Sequence, residues 1–148
     1  MNPDYELLDE TPPLETYLEL RRVSGLSPRT SEQGAPALVN SWAWVTARHR
    51  ASGDIVAMGR VIGDGGWYFM VADMATLPEH QRQGIGRALL TRLLERIERN
   101  APADAYVTLM ADAPGRPLYE SLGFVETAPH SVGMRLARRS QPSGDSPA

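Results

Sequence analysis

The chain has 148 residues, of which 42% are hydrophobic and 22% are charged, and its net charge at neutral pH is -3. These values predict one globular domain with a sizeable core. The negative net charge argues against the basic surface that is typical of nucleic-acid binding proteins. There is no cysteine, which excludes disulfides and a cysteine nucleophile, and no apolar run approaches the ~20 residues of a membrane span. The N-terminal residues are acidic and polar rather than signal-like, so the cytoplasm is the expected location.

The first part of the chain predicts one short strand and two helices. Residues 5–8 form the predicted strand, and the proline pair that follows suits a helix start, where a missing N–H costs nothing. The helical spacing of apolar residues ends at Gly25. A second helix, capped by Thr30 or Ser31, is predicted as far as Leu38.

Three strands are predicted in the middle of the chain, over residues 41–48, 55–62 and 67–77. Turn-forming residues separate them at 52–54 and 63–66. This order predicts an antiparallel set of strands joined by hairpins.

The clearest helix is predicted over residues 85–100. Ile85, Leu89, Leu93 and Ile97 recur every four residues and indicate one buried face, whereas charged residues occupy the other side.

The chain after Pro102 is predicted to alternate strands with a short helix. A strand is expected over 105–110, a helix over 117–122 and a last strand over 131–136. The whole arrangement predicts a single α/β domain over residues 1–139, with helices on both faces of a mixed sheet. Residues 140–148 are rich in Ser, Pro and Gly, which predicts a disordered tail.

The loop before the long helix has the features of a phosphate site. It follows a strand and leads into a helix, whose first N–H groups have no intrahelical partner and attract anions. Gly84 and Gly86 leave the backbone open, and Arg82 and Arg87 add positive charge. The alternative is an ordinary junction between a loop and a helix.

The spacing distinguishes between known phosphate loops. A dinucleotide fingerprint needs a third glycine where this chain has Leu89, and a P-loop needs a Gly-Lys-Ser/Thr ending that is absent. The pattern that remains is Gln/Arg-x-x-Gly-x-Gly/Ala, which Gln81, Gly84 and Gly86 satisfy.

With this loop the chain resembles the GNAT superfamily of acyl-CoA-dependent N-acyltransferases. Residues 73–80 are similar to the family's strand-and-proline segment before the loop, and Tyr119, followed by Gly123 and Phe124, is similar to its second motif. The resemblance extends over residues 41–136.

The resemblance implies a mostly antiparallel central sheet that splays in the middle, with a bulge near Met74 and Ala75. It implies that acetyl-CoA is the co-substrate, and that backbone groups of the bulged strand pair with its pantetheine arm. The residues implied in cofactor binding are Met74, Ala75, Thr76, Gln81, Arg82, Gln83, Gly84, Ile85, Gly86 and Arg87.

Direct acetyl transfer to an amine makes three demands on the site. The amine must be neutral, which costs about 4–5 kcal/mol for an alkylamine at pH 7. The developing oxyanion needs hydrogen-bond donors, for which a backbone N–H near Met74 or Ala75 is the candidate. The thiolate leaving group benefits from a proton. The resemblance implies that Tyr119 donates it; the alternative is a tyrosine that only packs in the core.

Two aspartates are further candidates. Asp73 is charged within an apolar strand, so it is a candidate general base or else a structural hydrogen-bond acceptor. Asp112 stands where many members of the family carry Asn. It can contact the cofactor or cap the short helix, but the change removes a donor and puts the cofactor contact in doubt.

The acceptor is predicted to be a small amine or a peptide N-terminus, selected by residues 14–40 and 127–133. Arg21, Arg22 and Arg29 either attract an anionic acceptor or are simply solvated. No metal, nucleic acid or membrane partner is expected, and a homodimer is plausible. A non-catalytic CoA-binding or sensing module is the main alternative to an enzyme, and a structural dimerisation domain is a third possibility.

Overall fold

A computed structural model of the chain describes residues 1–136, so the predicted tail at 140–148 lies outside the described residues. The helices are α1 (Leu14–Val23), α2 (Ser31–Asn40), α3 (Ile85–Asn100) and α4 (Arg116–Glu120), with a 3₁₀ turn at Pro78–His80. The strands are β1 (Tyr5–Leu8), β2 (Ala43–His49), β3 (Ile55–Gly63), β4 (Tyr68–Thr76) and β5 (Tyr106–Leu109).

The five strands form one open sheet in the order β1-β2-β3-β4-β5. The pairs β1–β2, β2–β3 and β3–β4 are antiparallel, whereas β5 runs parallel to β4. This arrangement confirms the predicted mixed and mostly antiparallel sheet. No helix within residues 1–136 has the length and apolarity that crossing a bilayer requires.

Helix α3 covers one face of the sheet through the repeat that predicted it. Five of its apolar side chains are at most 3% exposed, and they pack on Val45, Val61 and Phe69 of the strands. Full burial of such a side chain contributes about 1.5–3 kcal/mol to stability. This face therefore holds the larger core.

Helix α1 covers part of the opposite face. Tyr17 and Leu20 pack there on Trp44 and Met58. Alternation along β2 places Trp44 on this face and Val45 on the other. Helices on both faces were predicted and are present.

Helix α2 begins with a capping box. Thr30 Oγ1 accepts the N–H of Gln33 at 3.3 Å, and the Thr30 N–H donates to Gln33 Oε1 at 3.2 Å. Of the two predicted caps, the structure thus selects Thr30.

The prediction of a strand over residues 131–136 is wrong. These residues form no strand, and Val132, Met134 and Leu136 are 64%, 89% and 96% exposed. Thr127 and Ser131 instead close a turn, with the Ser131 N–H donating to the Thr127 carbonyl at 3.0 Å. Alternating apolar residues favour a strand, but no neighbouring strand within the described residues supplies the hydrogen bonds that would hold it.

Candidate active site

Strand β4 carries a bulge at Asp73 and Met74. Met58 of β3 pairs with Ala75, whereas Arg60 pairs with Ala72, so β4 has one extra residue across this step. Asp73 takes a left-handed backbone conformation with φ of 53°. The bulge expected near Met74 and Ala75 is therefore present, displaced by one residue towards the N-terminus.

A gap opens between β4 and β5 beside the bulge. Their parallel pairing runs from Tyr68 with Tyr106 to Val71 with Leu109 and then stops. Within residues 1–136, the backbone of 72–76 therefore has strand β3 on one edge and no strand on the other. The resemblance implied an open edge of this kind at Met74, Ala75 and Thr76.

The loop from Gln81 to Gly84 delivers the chain to the N-terminus of α3. Arg82 and Gly84 both have left-handed backbones, with φ of 60° and 77°. Gly84 is the N-cap residue, and among residues 1–136 no side chain caps the first turn. The helix end thus presents unpartnered donors, as a diphosphate site requires.

Two features favour glycine at position 84. Its φ is positive, and a Cβ there would lie only 3.1 Å from Met1 Cα. At Gly86, by contrast, a Cβ would meet Leu118 Cδ2 at an ordinary contact distance of 3.4 Å. Gly86 therefore allows α3 to lie close to α4, although its backbone conformation does not require glycine.

The N-terminal segment holds the loop in place, a contact that the sequence did not predict. The Asn2 N–H donates to the Gln83 carbonyl at 3.0 Å, and Asn2 Nδ2 donates to Gln83 Oε1 at 3.0 Å. Tyr5 and His80 share a hydrogen bond of 2.9 Å just before the loop. Both ends of the loop are thereby attached to β1 and the residues before it.

Further contacts join the loop to the bulged strand and to α4. Gln81 Nε2 donates to the Thr76 carbonyl at 3.2 Å. Arg87 Nη2 donates to Ser121 Oγ at 2.7 Å, which ties α3 to the end of α4. Arg82 is exposed, and Ile85 is 2% exposed and belongs to the core.

Tyr119 lies on α4, and its ring crosses Gly115. A Cβ at Gly115 would be 2.8 Å from Tyr119 Cε2, so glycine makes room for the ring, which also packs edge-to-face on Phe124. Burial, and secondarily the negative charge of Asp112, raises the pKa of Tyr119. No described residue hydrogen-bonds the Tyr119 hydroxyl, which leaves a protonated phenol free to serve as a donor at neutral pH.

Asp112 is exposed and lies in the turn before α4. Its carbonyl accepts the Gly115 N–H at 2.9 Å, and no side chain of the described residues caps α4. The predicted capping role is therefore wrong, because the backbone of Asp112, not its carboxylate, closes the turn. Contact of Asp112 with a cofactor stays a prediction.

Asp73 is the centre of a buried polar cluster. Its Oδ2 accepts hydrogen bonds from the Tyr17 hydroxyl at 2.8 Å and from Arg60 Nε at 2.7 Å, and its Oδ1 is paired with Arg21 Nη1. Burial, together with the hydrogen bond to Asp73, raises the pKa of Tyr17. Three donors on one carboxylate favour the structural role that the sequence left open, and the role of general base stays a prediction.

The three arginines predicted near the acceptor have different environments. Arg21 is buried against Asp73, whereas Arg22 pairs with Glu19 on the surface and Arg29 is exposed. Arg60, which the sequence did not single out, joins Arg21 on Asp73. Its position opposite the bulge depends on the register of β3, which the sequence does not encode locally.

Comparison with known proteins agrees with this geometry. A family model described as an acetyltransferase (GNAT) domain matches residues 40–126. The chain therefore belongs to the GNAT acetyltransferase family.

Two solved structures and one curated enzyme are similar to the chain. A probable acetyltransferase of methicillin-resistant Staphylococcus aureus is 34% identical, with a TM-score of 0.84 over 90% of this chain and 99% of that one. A GNAT family protein of Streptococcus pneumoniae is 27% identical, with a TM-score of 0.73 over 92% of this chain and 99% of that one.

The curated enzyme is the ribosomal protein bS18-alanine N-acetyltransferase of Escherichia coli K12. The match is 44% identical over an alignment of 64 residues, and it covers 38% of this chain and 43% of the enzyme. The chain thus aligns with less than half the length of this curated relative.

Proposed function

We propose that the chain is an acetyl-CoA-dependent N-acetyltransferase that moves an acetyl group directly to an amine. The observation that carries the proposal is the combination of the β4 bulge, the gap beside it and the uncapped N-terminus of α3. Family membership and the matching enzymes support the same reaction class.

The described residues fit acetyl-CoA in two places. The N–H groups at the start of α3 and the positive charge of Arg82 and Arg87 suit the diphosphate. The open edge of Met74, Ala75 and Thr76 suits the amides of a pantetheine arm, which would pair there like a strand. The bound thioester would supply the activated acetyl group.

The chain's own groups would then orient the reactants and move protons. Backbone N–H groups near Met74 and Ala75 would stabilise negative charge on the acetyl oxygen. Tyr119, whose raised pKa keeps its phenol protonated, would donate to the departing sulfur. Asp73 would hold Tyr17, Arg21 and Arg60 in place, with removal of the amine proton as its alternative role.

The acceptor is proposed to be a small amine or a peptide N-terminus. The name of the E. coli relative gives an alanine of a ribosomal protein as its acceptor, which favours an amine of this kind. Within residues 1–136, no group of three or more His, Asp or Glu side chains is placed to hold a metal ion. Homodimer formation and a cytoplasmic location stay predictions.

Calorimetric titration with acetyl-CoA tests the proposal. Micromolar binding is expected, and it should weaken at least tenfold when Arg82 and Arg87 are both changed to Ala, because the diphosphate loses two cations. Arg99→Ala is a matched control, since Arg99 lies at the other end of α3 and pairs with Glu95. A folded protein that binds no acetyl-CoA would contradict the proposal.

An acetylation assay distinguishes an enzyme from a non-catalytic CoA-binding or sensing module. A protein that binds acetyl-CoA but acetylates no member of an amine and peptide panel would support the module. Acetylation of any acceptor, detected by release of free CoA thiol and by mass spectrometry, would support the enzyme.

A further inference from the structure

The polar cluster at the bulge carries one more positive charge than its partners neutralise. Arg21 and Arg60 share the single carboxylate of Asp73. The side chain of Arg21 is 7% exposed, that of Arg60 is 15% exposed and that of Asp73 is 9% exposed. Within residues 1–136, neither arginine has a second carboxylate within ion-pair distance. A largely buried excess of one positive charge favours the binding of a monoanion.

Each guanidinium nitrogen of Arg21 has a partner. Its Nη1 pairs with Asp73, and its Nε and Nη2 donate to the Ser27 carbonyl at 3.0 and 2.7 Å. This arginine therefore closes the inner side of the cluster and attaches α1 to the bulge.

Arg60 keeps one nitrogen available. Its Nε donates to Asp73 and its Nη1 donates to Ser41 Oγ at 3.0 Å, whereas Nη2 has no partner among residues 1–136. In that same range Thr46 Oγ1 is the one side-chain polar atom that is both buried and unpartnered. Arg60 Nη2 is also unpartnered there, so it is not fully buried and solvent reaches it. The guanidinium carbon lies 5.7 Å from the Trp44 ring centre, within the range of a cation–π contact.

The guanidinium of Arg60 lies against the bulge, because its Nε donates to Asp73 at 2.7 Å. Arg60 pairs with Ala72, the last residue before the bulge. Its side chain contacts Trp44 on the face that α1 covers, which is opposite to α3 and the phosphate loop. An acceptor that reaches the bulge from the α1 face would therefore come near the Arg60 guanidinium.

We propose that Arg60 Nη2 binds a carboxylate carried by the acceptor, so that the acceptor is an amino acid or a similar amine with a carboxylate. The inference rests on the proposed function and adds a substrate class to it. A carboxylate fits better than a phosphate group, because its single charge balances the excess in the cluster, and a guanidinium binds it by charge-assisted hydrogen bonds.

The first test compares acceptors in matched pairs. Alanine, phenylalanine and lysine are each assayed against their C-terminal amides, with rates expressed per concentration of neutral amine. For the amino acids that are acetylated, we expect kcat/KM to be about 10- to 100-fold higher than for their amides. This factor corresponds to the loss of one hydrogen bond to a charged group. Equal values for acids and amides would overturn the inference while leaving the acetyltransferase in place.

The second test changes the arginine. Arg60→Gln should remove the preference for acids, so that each acid and its amide are acetylated with equal kcat/KM. Arg22→Gln is the matched control, because Arg22 lies on the surface of α1 and pairs only with exposed Glu19. Should Arg60→Gln fail to fold, Arg60→Lys keeps the charge but moves the donor, and an intermediate preference is expected.

A binding measurement gives a readout that does not depend on turnover. Titration of the CoA complex with N-acetylalanine and with its amide should show tighter binding of the acid, and Arg60→Gln should abolish the difference. An unchanged difference in the variant would overturn the inference. Failure of the protein to bind acetyl-CoA at all would instead overturn the proposed function, and the inference with it.

Discussion

At the scale of single residues, Tyr119 combines a protonated phenol with a free hydroxyl. We expect Tyr119→Phe to lower kcat by at least about 100-fold, the range of general-acid catalysis, because only the hydroxyl is lost. Acetyl-CoA affinity should stay within about twofold, since the ring still packs on Gly115 and Phe124. Steady-state kinetics and calorimetry together measure both quantities.

A matched control for this change is Tyr68→Phe, at an exposed tyrosine of β4 whose ring packs on Tyr106. It removes the same atom outside the site, so kcat should not change. If Tyr119→Phe retained full kcat, Tyr119 would be only a packed aromatic.

The raised pKa of Tyr119 also predicts a pH dependence. Burial and the charge of Asp112 disfavour the phenolate, so the folded protein holds this proton above pH ~10, the ordinary value for tyrosine. A plot of log kcat against pH should therefore have no falling limb due to Tyr119 below about pH 10. Since the unfolded chain releases the proton first, the stability of the fold declines as the pH rises above that value.

Asp73 is expected to matter more for stability than for proton transfer. Asp73→Asn keeps the shape and suits the left-handed backbone, but it leaves two largely buried guanidinium groups without a negative partner. The expected loss is about 3–5 kcal/mol in the free energy of unfolding, measured by urea denaturation.

Asp104→Asn is the control for that experiment. Asp104 also has a left-handed backbone, with φ of 64°, but it is exposed, so the same change should cost less than about 0.5 kcal/mol. A stable Asp73→Asn variant with lost turnover would instead identify Asp73 as the general base.

At the scale of elements, the N-terminal segment orders the phosphate loop. Asn2→Ala removes the side-chain hydrogen bond to Gln83, which should weaken acetyl-CoA binding about 3- to 10-fold through a less ordered loop. KM for acetyl-CoA should rise, and kcat should be unchanged. KM for acetyl-pantetheine, which lacks the diphosphate, should be unchanged.

Asn100→Ala serves as the comparison, because Asn100 donates to Arg96 at the far end of α3. It should change neither KM. An equal rise in KM for both thioesters after Asn2→Ala would mean that Asn2 supports the fold in general rather than the loop.

The elements differ in how far local sequence determines them. Helix α3 was predicted over the residues it occupies, because a four-residue apolar repeat needs only one sheet face to pack on. The strand predicted at 131–136 failed because a strand also needs a partner, which alternation does not provide. The bulge came from family resemblance and not from any residue preference.

The contacts within the candidate site were the least predictable. Arg21 and Asp73 are 52 positions apart, and Asn2 and Gln83 are 81 apart. Such pairs depend on the register of the sheet and on how the helices pack over it. The one local signal was a charged Asp73 inside an apolar strand, which correctly indicated a buried polar contact but not its partners.

At the scale of the whole molecule, the core on the α3 face also supports the bulge. Leu93 is fully buried, and its Cδ1 would lie 3.1 Å from a Cβ on Gly59, the residue of β3 opposite the bulge. Met74 Sδ would lie 2.5 Å from the same Cβ position. Packing of α3 on the sheet and the shape of the candidate pantetheine edge are therefore physically connected.

This connection predicts different effects for two core truncations of α3. Leu93→Ala and Ile97→Ala should each cost about 2–5 kcal/mol in urea unfolding, because both side chains are buried and leave cavities. Only Leu93 lies beneath the bulge. Acetyl-CoA at 100 times its Kd should add about 2.7 kcal/mol of stability to the wild type and to Ile97→Ala. The same concentration should add less to Leu93→Ala, whose cavity lets Met74 and the bulge relax and so weakens binding. Equal gains in both variants would show that the bulge keeps its shape without Leu93, and that core and cofactor edge are energetically independent.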